Sequence, residues 1–284
     1  REFIWRRVLR IIPLYWLITL AALAIFIIAP EKINSGGGGT DILASFFLLP
    51  TEQLYLVANG WTLRFEFLFY FIFMLGLLFT KTTGRSFIIA VIIVLVALGQ
   101  WLTPSNIVLR TVTNPFILEF AAGIALYYAH QYSQRHQPSS FVFGSILLGL
   151  GIGSLAAVNQ GLQTDIRVID FGIPMLLLMV GALYLESTLN KRPVQLLKIL
   201  GDSSYAMYLS HPFVLAGGAM VMNTLHLNNW LGGIPFVVVL LVGSITIGYL
   251  IYILVEKPIS RRLSSIQNPL VNTYPVSATQ TTSS

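Results

Sequence analysis

Apolar stretches of about 18 or more residues follow one another along this chain from Ile12 to Val255. Each is long enough to cross the hydrocarbon core of a bilayer. Only helices and closed barrels satisfy every backbone polar group in lipid. These runs are continuous rather than alternating, so they read as helices. Composition agrees, with 55% of the 284 residues hydrophobic and 10% charged, where a soluble domain carries roughly 25% charged residues. The fold class is all-α, a polytopic transmembrane helical bundle.

Eight spans are expected, at Ile12–Ala29, Trp61–Thr80, Phe87–Leu102, Pro115–His130, Phe141–Val158, Val168–Glu186, Ile199–Asn223 and Leu231–Val255. The cations order them. Arg1, Arg6, Arg7 and Arg10 precede the first span, Lys81 and Arg85 follow the second, and Arg135 follows the fourth. Lys191, Arg192 and Lys198 follow the sixth, and Lys257, Arg261 and Arg262 follow the eighth. All fall on one side, against Lys32, Arg110 and Arg167 on the other. Cytoplasmic loops carry the excess of Lys and Arg, so both ends are expected in the cytoplasm. The net charge of +6 is then a topology signal and points to no nucleic acid. The absence of cysteine excludes disulfides and thiolate chemistry. Residues 1–263 form the transmembrane domain, and the Ser/Thr-rich segment 264–284 reads as a disordered cytoplasmic tail. The external segment from Pro30 to Gly60 contains a flexible run at Gly36–Gly39.

Ionisable groups inside spans are costly, and each is a functional candidate. Arg6, Arg7 and Arg10 sit three and four apart before the first span. They can share a helix face and grip phosphates, or anchor the helix among lipid headgroups. Arg64 and Glu66 are two apart, so they do not neutralise each other along a helix and each needs another partner. Glu66, Glu119 and Asp170 come from three helices and all lie toward the outer side. They either face one external cavity suited to sugar hydroxyls or make separate packing contacts. Asp202 or Ser203 is expected to cap the seventh span. His211 falls near its middle, next to Pro212. It either handles protons or a substrate, or it bonds a carbonyl freed by the proline. The histidines show no metal-ligand spacing.

At these motifs the chain resembles the acyltransferase-3 family of bacterial membrane acyltransferases, in order along nearly its whole length. Arg6-Arg7-Val8-Leu9-Arg10 through Trp16 resembles an Arg-x-x-Arg element at the start of a helix, on Arg7 and Arg10. Trp61-Thr62-Leu63 through Glu66 and Phe69-Tyr70 resembles the Trp-Ser/Thr-Leu-x-x-Glu-x-x-Phe-Tyr motif. Leu118-Glu119-Phe120 with Gly123, Leu200-Gly201 through His211-Pro212, and Glu256-Lys257-Pro258 resemble three further elements. The stretches Gly60–Leu63 and Arg110–Glu119 look most like the exopolysaccharide-modifying branch.

The resemblance implies a multi-pass enzyme of the bacterial inner membrane. It would move an acyl group, commonly acetyl, from acetyl-CoA as co-substrate to a hydroxyl of a carbohydrate acceptor. It places Arg6, Arg7 and Arg10 on the CoA phosphates, Glu66 and His211 in catalytic positions, and Trp61, Tyr70 and Glu119 against the acceptor. It also implies two helices and a general-base histidine upstream of Arg1, which this sequence does not contain. The expectation that follows is an N-terminally truncated family member with little activity alone. A transporter of a polysaccharide intermediate and a non-catalytic assembly partner are the rival readings.

Overall fold

The computed structural model describes residues 2–33, 37–136, 141–164, 166–189, 195–226 and 233–263. The expected tail at 264–284 lies outside the described residues. The regular elements among them are helices, with one isolated bridge between Thr40 and Leu54. Six segments are long and apolar enough to cross a membrane by length and composition. The two other expected spans are helical as well. Gly60–Gly76 has only 17 residues, and Ser204–Thr224 carries Ser210, His211 and Pro212 at its centre.

In chain order the helices are α1 (Glu2–Ile28), α2 (Pro30–Ile33), α3 (Ile42–Phe47), α4 (Gly60–Gly76), α5 (Lys81–Leu102) and α6 (Ile107–Val112). There follow α7 (Leu118–His136), α8 (Phe141–Asn159), α9 (Ile173–Leu189), α10 (Gln195–Asp202), α11 (Ser204–Thr224) and α12 (Gly233–Ile251). Two π-helical turns stand beside these, Val168–Gly172 leading into α9 and Tyr252–Glu256 continuing α12. The chain divides into two compact units. One takes in Arg1–Ile33 and Ile199–Ser284, the other Asn34–Lys198.

In the first unit α11 packs along α12 at very short range. A Cβ built on Gly248 would lie 2.3 Å from Met207 Cγ, so only glycine fits there. Helix α1 begins ten residues before the expected span, so Arg6, Arg7 and Arg10 ride on the helix itself rather than on a loop before it. It runs through Pro13 without ending. It joins α11 through the Tyr205 hydroxyl, which donates to the Ile11 carbonyl at 2.8 Å. The expected cap of α11 takes another form. The buried Ser203 hydroxyl donates back to the Ile199 carbonyl of α10 at 2.7 Å, and only the Ser203 backbone carbonyl accepts from α11, from the Met207 amide.

In the second unit, Phe65, Ile72, Ile88, Ile92, Val96 and Ile117 form a buried core between α4, α5 and the turn before α7. The segment before α4 is ordered by specific bonds. Asp41 caps α3, the Ser45 hydroxyl accepts from the Leu56 amide at 2.9 Å, and Leu56 and Val57 are fully buried. Gly37 and Gly38 bend there with φ of +73° and +102°, which side chains resist, and so serve a defined turn.

Helices α8 and α9 meet through glycine. A Cβ on Gly181 would lie 2.8 Å from the Gly144 carbonyl oxygen, and one on Gly144 would lie 2.9 Å from that of Gly181. Lipid provides no hydrophobic drive between helices, so close backbone approach through small residues is what holds such a pair. Gly181→Val should therefore cost about 1–3 kcal/mol of overpacking strain and lower the thermal midpoint in detergent. Gly153→Ala on the same helix pair meets nothing within 4 Å and should leave the midpoint unchanged or raised. Equal effects from the two would contradict this packing.

Candidate functional site

The first unit carries a basic cavity of about 530 Å³, lined by Arg6, Leu9, Arg10, Tyr252, Glu256, Lys257, Ser260, Arg261 and Leu263. The helical repeat explains the set from α1, because Arg6 and Arg10 lie one turn apart on the same face. Beyond α12, Tyr252, Glu256 and Ser260 recur every four residues, as do Lys257 and Arg261. The π-helical turn Tyr252–Glu256 has its last bond from the Lys257 amide to the Tyr252 carbonyl, which resets the register of everything after it. Four cations thus meet in one place.

Two of them were expected from spacing. Lys257 and Arg261 were read as topology signals, Lys257 also as part of the Glu256-Lys257-Pro258 element, because nothing local links them to Arg6 and Arg10. Arg7 does not line the cavity, and its guanidinium lies over the Phe3 ring, 5.4 Å from the centroid. Arg6 holds Glu2 at 2.5 Å in an exposed pair, which screening makes weak.

His211, in the same unit, resolves the local question posed by Pro212. A proline lacks the N–H that would reach the carbonyl four residues back, here Tyr208. The His211 ring supplies the replacement, with Nδ1 2.9 Å from the Tyr208 carbonyl and 3.3 Å from that of Met207. Carbonyls only accept, so Nδ1 carries the proton, and in the neutral ring Nε2 is the acceptor nitrogen.

In the second unit two motifs far apart in sequence are zipped together by aromatic rings. Phe69 of α4 stacks on Phe120 of α7 at 4.5 Å and 9°. Trp61 packs on Phe116 at 5.4 Å. Asn114 caps the 3-10 turn Pro115–Ile117 by accepting from the Phe116 amide at 3.0 Å, and this sets Glu119 in the first turn of α7. Glu66 and Arg64 find separate partners, as their spacing requires. The Tyr70 hydroxyl donates to Glu66, one turn along α4. Arg64 lies over the Phe65 and Tyr55 rings, 5.0 and 5.9 Å from their centroids. Burial pushes the Tyr55 phenol above its ordinary pKa, with Arg64 acting against it. The phenol therefore stays a donor, to the Leu49 carbonyl at 2.5 Å.

Neither of the two cavities that Glu119 lines is lined by Glu66 or Asp170. Asp170 is buried and occupied locally, accepting from the Thr164 amide at 2.9 Å and its hydroxyl at 2.8 Å, which closes the loop before α9. Glu119 stands alone among the three, half-exposed between two cavities of about 480 and 550 Å³. Arg167 Nε is 4.0 Å from its Oε1. The Arg167 guanidinium sits among the rings of Phe116, Trp61 and Phe171 at 4.8, 5.4 and 5.9 Å. Arg167 was overlooked at the sequence level, since a lone external cation carries no motif.

A helical multi-pass membrane protein with one basic cavity and an aromatic-lined acid–cation pair is the class that fold and sites define. The chain belongs to the acyltransferase-3 family and is an acyltransferase: the family model, an acyltransferase domain, matches residues 1–253. It is 30% identical over 270 residues to exopolysaccharide production protein ExoZ of Rhizobium meliloti (strain 1021), covering 92% of this chain and 81% of that protein. No solved structure matches it.

The histidine–proline geometry makes a specific prediction. His211→Ala leaves the Tyr208 carbonyl unsatisfied and should cost about 1–3 kcal/mol of stability. Adding Pro212→Ala restores a backbone N–H at that carbonyl and should recover most of the loss in a detergent melt. Failure of the second change to recover stability would refute this pairing. Stability recovered without activity would assign the Nε2 lone pair a chemical role.

Proposed function

We propose that this enzyme sits in the bacterial inner membrane and moves an acyl group, commonly acetyl, from acyl-CoA on the cytoplasmic side. The acceptor is a hydroxyl of an exopolysaccharide or another cell-surface carbohydrate. The observation that carries the reading is the cavity where Arg6, Arg10, Lys257 and Arg261 converge. Lys and Arg concentrate on the side where these residues lie, the mark of a cytoplasmic face. Guanidinium forks match phosphate oxygens in pairs, and a phosphate-bearing co-substrate needs several such donors at once. The ExoZ relative supports a carbohydrate acceptor, because its name assigns it to exopolysaccharide production.

In the transfer itself the acceptor oxygen bonds to the acyl carbon, the carbon–sulfur bond of the thioester breaks, and the sulfur leaves as a thiolate that takes up the proton the acceptor hydroxyl has lost. That proton passes first to a base. The neutral ring of His211 would offer Nε2 as that base, because the Tyr208 carbonyl holds its Nδ1 proton. Glu119 and Arg167, with the Trp61 ring against the guanidinium, present an acceptor, a donor and an apolar face to a sugar. Glu66 accepts from Tyr70 one turn along the same helix that carries Trp61.

The cavity distinguishes the arginines. Arg10→Ala combined with Arg6→Ala should weaken acetyl-CoA binding by tenfold or more, since each charged hydrogen bond contributes about 1.5–3 kcal/mol. Arg7→Ala should change it by less than about threefold, because Arg7 turns away toward Phe3. Titration of purified protein in detergent reads both. The reverse order would move the donor site off this cavity, and a double variant with unaltered acetyl-CoA affinity would favour a transporter.

A further inference from the structure

Glu256 is out of place in a cavity built for phosphates. It lies at the end of the π-helical turn, among Arg6, Arg10, Lys257 and Arg261, and it is only 9% exposed. The Ala206 amide, in the first turn of α11, donates to its carboxylate, and Arg10 acts on its charge. Its Oε2 is buried with no hydrogen-bond partner among the described residues. A buried acceptor without a donor costs about 1–3 kcal/mol, and a carboxylate beside a phosphate adds repulsion. A site that took only phosphate would be better with a neutral residue there. Glu256 opens the Glu256-Lys257-Pro258 element of the family resemblance, which gives this side chain no role, and neither the family match, which ends at residue 253, nor the relative's name gives it one.

We propose that Glu256 is a specificity-determining residue of the donor cavity. Its unpartnered oxygen accepts a hydrogen bond from an O–H or N–H that the acyl donor carries close to its phosphates. The cavity then selects a nucleotide-linked acyl donor and rejects bare phosphate, pyrophosphate or a phospholipid headgroup. The physical basis is asymmetric. A ligand that brings the donor group satisfies a buried acceptor, and one that lacks it leaves that acceptor unpaired. Arg10 acts on Glu256 in this structure. A bound polyphosphate engages Arg10 and the neighbouring cations, and the ligand's hydroxyl or amine meets the unpartnered Oε2. This inference rests on the acyl-CoA reading above and adds how the donor is told from other phosphates.

The test is a titration of the full chain in detergent with coenzyme A, inorganic pyrophosphate and vesicles containing phosphatidic acid, for wild type and Glu256→Gln. Glu256→Gln should weaken coenzyme A by about tenfold, as a charged hydrogen bond becomes a neutral one. It should leave pyrophosphate unchanged or tighter, because a like charge is gone. Equal weakening of both ligands, or no weakening of either, overturns the proposal, as does wild-type protein that prefers the phosphatidic acid vesicles. Thermal unfolding of each variant is measured alongside. If Glu256→Gln does not fold, Glu256→Asp, which keeps the charge and shortens the reach, should show the same selective loss. Wild type that fails to bind coenzyme A overturns the acyl-CoA reading itself, whereas binding that Glu256 does not influence overturns this inference alone.

Discussion

Hydrocarbon offers no hydrogen bonds, so each polar group carried into a membrane helix has to find its partner within the chain. The arrangement of this protein follows from how that demand is met. Pro212 frees the Tyr208 carbonyl, and the ring of its own neighbour His211 takes it up. Glu66 is met by Tyr70 on the same helix, Asp170 by Thr164 in the preceding loop, and Arg64 by the faces of Tyr55 and Phe65. Most such groups are closed off locally and cost the fold little. Less fully closed are the cluster around Glu256 in one unit and the loosely paired Glu119 and Arg167 in the other, together with Arg64 Nε and the Ser210 hydroxyl, which have no hydrogen-bond partner among the described residues.

The helices that carry these groups are held by two kinds of contact. Aromatic pairs join the motif on α4 to the motif on α7, with Phe69 flat on Phe120 and Trp61 on Phe116. Glycine contacts bring α8 to α9 and α11 to α12 at distances no other residue allows. The aromatic pairs orient the residues expected to meet a sugar. The glycine contact at Gly248 fixes α12 against α11, and so fixes where the π-helical turn places Glu256 relative to the Ala206 amide.

Much of this was legible in the sequence, because it depends on short spacings. Hydrophobic runs marked the helices. A separation of two residues showed that Arg64 and Glu66 needed different partners, and the His211-Pro212 pair announced a freed carbonyl. What depended on distant contacts was not legible. Arg6 and Arg10 lie at one end of the chain, Lys257 and Arg261 at the other, and only folding brings them to one cavity. Arg7 matched the motif by spacing yet turned to Phe3, since adjacent helical residues point about 100° apart. Of the two readings left open for Glu66, Glu119 and Asp170, the local partners found for Glu66 and Asp170 match separate packing contacts. Position along a helix sets the depth of a carboxylate, and neighbours in space decide where it points.

The central claim is that the converging cations of the first unit form the donor site, and photo-crosslinking tests it most directly. Protein in membranes is illuminated with an acyl-CoA carrying a photoreactive nucleotide, then digested and read by mass spectrometry. Label within residues 2–10 and 252–263, displaced by unlabelled coenzyme A, is the predicted result. Label confined to other segments, or label that coenzyme A does not displace, would contradict the account.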